Sequence, residues 1–122
     1  MLDEAVVDDT TFDPFRIFEH EHDRGNYALV LSDEDMEQTV EIFEEAGRTG
    51  GSSSWADVAL QAIRSEDPDL ESRLQLEPEA YAFMANSADL EALQKLAGLL
   101  FDAFHDEETL TGLLEGAPFE WD

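Results

Sequence analysis

Tyr27-Ala28-Leu29-Val30-Leu31-Ser32-Asp33-Glu34-Asp35-Met36 changes its hydrophobic period midway. Up to Leu31 every position is apolar. Tyr27, Leu29 and Leu31 fall on one face of an extended chain and Ala28 and Val30 on the other, which predicts a strand in the interior of a sheet. Beyond Ser32 or Asp33, either of which suits a cap, Met36, Val40, Phe43 and Ala46 recur at helical spacing. They predict a helix over 34–46 that ends at Gly47. Upstream, Asp23-Arg24-Gly25 reads as a short turn, with glycine supplying a positive φ, and 15–22 as the strand before it. Residues 1–13 are acidic without sustained periodicity and read as a loose arm ending at Pro14.

Downstream, Arg48-Thr49-Gly50-Gly51-Ser52-Ser53 reads as a flexible linker. Ser54 with Asp57 resembles a capping box, and Trp55, Val58, Ala59, Ala62 and Ile63 form an apolar stripe. Asp67-Pro68 starts a short turn reaching Arg73. Residues 74–76 and 80–85 predict a second strand pair around Glu77-Pro78-Glu79, with Tyr81 and Phe83 on one face. Asn86 or Ser87 caps a helix over 88–104. Its apolar residues cover more than half the circumference, so it is expected to be the most buried. A helix over 107–114 follows, and Gly116-Ala117-Pro118 ends it before the aromatic tail Phe119-Glu120-Trp121-Asp122. The order ββ-αα-ββ-αα implies an α+β fold: one antiparallel sheet of about four strands with helices packed on one face. The organisation is then an acidic arm (1–13), a single α+β domain (14–116) and an aromatic tail (117–122).

Composition narrows the functions. The 122 residues include no cysteine, which excludes disulfides, thiolate nucleophiles and zinc–thiolate clusters. No apolar run is long enough to cross a bilayer, and the first residues are acidic where a secretory signal is basic, so the expected location is the cytoplasm. Asp and Glu number 31 against 6 Lys and Arg, for a net charge of −25. The acids are spread along amphipathic segments rather than gathered in a block, the pattern of a protein adapted to concentrated salt. A surface for nucleic acid or an anionic membrane needs clustered Lys and Arg, and none exists.

No motif assembles a catalytic set. His20 and His22 share a face of an extended chain, but a zinc site needs further ligands and His105 is remote in sequence. Asp33-x-Asp35-x-Glu37, with Glu44 at the twelfth position, imitates a calcium loop but has Gln38 where that loop needs glycine. Ser52-Ser53-Ser54 lacks a nucleophile elbow, and Gly50-Gly51 lacks the Gly-Lys-Ser/Thr of a phosphate loop. No enzymatic activity, cofactor or metal is expected.

An ordered series of segments resembles the immunity protein 51 family of polymorphic-toxin loci. The series is Tyr27-Ala28-Leu29-Val30-Leu31, Ile42-Phe43-Glu44-Glu45-Ala46-Gly47, Gly50-Gly51, a helix opened by Trp55, Leu76-Glu77-Pro78-Glu79-Ala80 leading to Phe83, and Ser87-Ala88-Asp89-Leu90-Glu91-Ala92-Leu93. The resemblance implies a small α+β inhibitor that neutralises a toxin domain by occupying its surface. It brings forward Trp55 and Glu79 as motif positions. The acidic helix face of Glu37, Glu41, Glu44 and Glu45 suits a basic partner, and Ser52 and Ser53 of the linker and the hairpin tip His20 to Asp23 are further candidate contacts. The competing expectation is a salt-adapted, non-catalytic adaptor or subunit of a housekeeping complex, docking through Phe119 to Trp121.

Overall fold

A computed structural model describes residues 4–121. Its strands are β1 (Glu4–Asp8), β2 (Arg16–His20), β3 (Tyr27–Ser32), β4 (Gln75–Pro78) and β5 (Ala82–Ser87). Its helices are α1 (Asp33–Met36), α2 (Val40–Glu45), α3 (Ser52–Glu66), α4 (Leu90–His105) and α5 (Glu107–Gly116), with 3-10 turns at Glu37–Thr39 and Pro68–Ser72. The sheet is wholly antiparallel in the order β1-β2-β3-β5-β4. The α+β class and the interior position of β3 agree with the sequence.

Four strands become five because the acidic arm contributes one. Glu4–Asp8 pairs with β2 through its backbone and leaves Val6 55% exposed, so its side chains carry no burial alternation to read. Residues 1–3 of the arm and Asp122 of the tail lie outside the described residues.

One sheet face is covered. Ile17, Leu29, Leu31, Phe83 and Ala85 alternate inward and are fully buried beneath α3 and α4. The alternate residues Phe18, Val30 and Met84 point the other way and are half-buried. Trp55 centres the core, its ring 5.3 Å from Phe43, 5.7 Å from Phe15 and 6.0 Å from Phe104. Leu93, Leu96, Ala97 and Leu100 of α4 complete it, each fully buried. Removing a side chain such as Leu100 from water contributes about 1.5–3 kcal/mol.

The expected helix over 34–46 is broken. The Thr39 hydroxyl donates to the Met36 carbonyl at 3.2 Å, competing with the amide ladder, and residues 37–39 tighten into a 3-10 turn between α1 and α2. At α4 the cap is Asp89, which accepts from the Ala92 amide at 3.3 Å, while Ser87 accepts from the Asp89 amide instead.

Candidate partner-binding site

The segment read as a flexible linker is ordered, and it gathers much of the candidate set. Gly50 has φ +85°, and a Cβ there would meet Val40 Cγ2 at 2.7 Å, so only glycine fits this approach to α2. Its amide donates to Ser54 Oγ at 2.9 Å. Ser52 opens α3 and donates to the Glu79 carbonyl at 2.6 Å, and the Asp33 amide donates to the Tyr81 carbonyl at 3.0 Å. The linker, the β4–β5 turn and the start of α1 therefore meet at one end of the molecule. A shallow groove of about 180 Å³ opens there, between Glu37 and Val40 on one side and Thr49 to Gly51 on the other.

Glu37, Ser52 and Glu79 converge on this end, with Ser53 half-buried in the first turn of α3. Glu41, Glu44 and Glu45 are exposed on α2, and Glu45 reaches a larger hollow of about 530 Å³ beside Arg48, Leu114 and Phe119. Trp55 is fully buried and leaves the candidate contact surface. Tyr81 joins it. The Glu79 amide donates to the Ala82 carbonyl at 2.8 Å, so the hairpin reverses over 79–82 and Tyr81 sits in the turn, 78% exposed. A turn at Glu77-Pro78-Glu79, as the sequence suggests, puts Tyr81 on a strand with Phe83 on the same face. The sequence signal for the later turn is the end of alternation at Glu79-Ala80.

The second unexpected feature is a buried ion pair. Arg48 Nη1 lies 3.2 Å from Asp57 Oδ2, with side-chain exposures of 1% and 0%. Arg48 also donates to the carbonyls of Pro118 at 2.8 Å and Ala117 at 2.7 Å, and its guanidinium lies 3.8 Å from the Phe119 ring centre. Asp57 Oδ1 accepts from the amides of Glu120 and Trp121, each at 3.1 Å. α3 opens earlier than a capping box at Ser54 implies, with Gly51 at its N-cap, so Ser54 lies inside the helix. The Arg48–Asp57 pair clasps residues 117–121 against their own domain, and Trp121 packs on the core. That contact in cis engages Trp121 of the tail expected to serve as an adaptor's docking element, while Phe119 stays exposed. The half-buried Arg73–Asp89 pair at 2.6 Å is a simpler device. Hydrogen bonds from Arg73 hold the Asp89 carboxyl below its ordinary value, as Arg64 does for Glu71.

The histidines are separated. His20 Nε2 lies 3.2 Å from Asn86 Oδ1 on the sheet, whereas His105 meets the Asp13 carbonyl at 2.8 Å. Among the described residues no three His, Asp or Glu side chains form a group that could hold a metal ion. None of the helices described is long and apolar enough to cross a membrane. What the surface offers is shape, two exposed aromatics, Tyr81 and Phe119, and a surplus of carboxylates.

Fold and surface together define a small α+β protein with helices on one side of an antiparallel sheet. The model of immunity protein 51 matches residues 15–118, and the chain belongs to that family. No curated protein and no solved structure gives a significant match.

Proposed function

We propose that this chain neutralises a toxin domain by binding it and occluding part of its surface, in the cytoplasm and without a cofactor. The observation that carries the proposal is membership of the immunity protein 51 family across residues 15–118. The contact is the end of the molecule where Tyr81 stands among Glu37, Ser52, Ser53 and Glu79, extended along Glu41, Glu44 and Glu45 of α2. An exposed tyrosine ringed by polar groups has the composition of an interface anchor. The carboxylates suit a basic partner and disfavour nucleic acid and anionic membranes. An interface of ordinary size, about 800 Å² per partner, fits on this end. The adaptor reading keeps Phe119 as its one exposed tail aromatic, because Trp121 packs on the core and residues 120 and 121 are engaged in cis.

If a toxin domain is encoded beside this chain, co-expression with it is expected to restore growth and to yield a stable complex. Tyr81→Ala is expected to weaken the complex at least about tenfold with the fold intact. Charge reversal by Glu41→Lys with Glu45→Lys is expected to weaken protection. If the wild-type chain neither binds nor protects, the proposal fails.

A further inference from the structure

We infer that the uncovered face of the sheet is an interface for a second copy of this chain. The register sets one row across four strands: Arg16 opposite Val30, Val30 opposite Met84, and Met84 opposite Glu77. All four side chains point away from the helices, because their neighbours Ile17, Leu29, Leu31, Phe83 and Ala85 point into the core. The next row places Val6, Phe18 and Ala28 beside one another. Asn86 and Gln75 continue that row on β5 and β4, so the apolar part of the face is Val6, Phe18, Val30 and Met84, and no described element covers it.

Its charge is unlike that of the rest of the molecule. The chain carries 31 acids, yet among the outward-pointing described residues of β2 to β5 Glu77 is the only carboxylate and Arg16 the only guanidinium. Arg48, Arg64, Arg73 and Lys95 each have a carboxylate within 4.0 Å, whereas Arg16 has none among the described residues. Glu77 is held in place. Asn86 Nδ2 donates to one of its oxygens, and Asn86 Oδ1 meets His20 Nε2 at 3.2 Å. Ala28 lies between Phe18 and Asn86 in the register and is fully buried beside these larger side chains.

The row is self-complementary. A two-fold axis parallel to the strands, between β3 and β5, exchanges Val30 with Met84 and sets Arg16 of one copy over Glu77 of the other. Both charges lie one and a half strand spacings from that axis, about 7 Å. Two sheets packed face to face sit about 10 Å apart and cross at about −30°. The flexible arginine can span the resulting offset. The contact then has an apolar centre, two symmetric ion pairs at its margins and the same patch on both partners. For a polyanion this is also the face where a second copy meets least repulsion.

Sedimentation equilibrium in about 2 M potassium chloride, where screening confines repulsion to about 3 Å or less, tests the interface. A concentration-dependent dimer is expected. Arg16→Glu and Glu77→Arg are each expected to weaken it at least about tenfold, and the double exchange to restore it. Circular dichroism of each variant checks that these exposed positions leave the fold intact. A wild-type chain that stays monomeric up to about 100 µM overturns the inference. So does a dimer indifferent to both reversals. A monomer that captures the toxin domain through Arg16 overturns it too and assigns the face to that partner.

Discussion

Arg48 stands in a run of Thr, Gly and Ser, and nothing local marks it as interior. Its burial depends on Asp57, nine positions on, and on the carbonyls of Ala117 and Pro118, contacts that exist only once the chain has folded. Removing either partner leaves the other charge buried without its counter-charge, and Arg48→Ala or Asp57→Ala is expected to cost about 3–5 kcal/mol in denaturant unfolding. The paired replacement Arg48→Met with Asp57→Leu is expected to cost less than the sum, since it removes both charges together. Two glycines allow a finer comparison. Gly47 was readable as a helix C-cap and has φ +79° with open space around it, so Gly47→Ala is expected to cost about 1–2 kcal/mol through its backbone alone. Gly50 adds a clash with Val40 to the same backbone penalty, and Gly50→Ala is expected to be the worse substitution. Equal melting midpoints for the two would show that α2 yields at no cost.

At the scale of elements, legibility followed the strength of the apolar pattern. α4 was read nearly to its ends because Leu93, Leu96, Ala97 and Leu100 repeat at helical spacing and all four are buried. β3 was read because both its faces are apolar. β1 was missed because an edge strand held by backbone pairing has no side-chain signature, and α1 and α2 were fused because the hydrogen bond from Thr39 to Met36 is silent in hydropathy. Of the candidate site, Glu37, Ser52 and Glu79 were picked out separately, but their convergence was not legible. It rests on a hydrogen bond linking residues 27 positions apart. The most secure element supplies the clearest contrast. Leu100→Ala is expected to cost about 2–5 kcal/mol, and Glu41→Ala, on the exposed side of α2, no more than about 0.5 kcal/mol. Comparable shifts in denaturant midpoint would refute this placement of the core.

Over the whole molecule, a charge of −25 surrounds a domain of about 14 Å radius of gyration. The few surface ion pairs, Arg64–Glu71, Arg73–Asp89 and the contacts of Lys95, neutralise little of it. At about 10 mM salt the repulsion reaches about 30 Å and spans the domain, and at about 1 M only about 3 Å. Circular dichroism is expected to show a loosened chain in the first condition and a compact one in the second; a melting midpoint that does not move between them would remove salt adaptation as the account of the acids. The clasp at Arg48 and Asp57 has another consequence, for synthesis on the ribosome. Residues 117–121 are translated after all five helices, so a nascent chain carries its interior ion pair half-satisfied until they emerge. The start of α3 is therefore expected to be among the last regions to become protected from solvent exchange, although its sequence is complete less than halfway through translation.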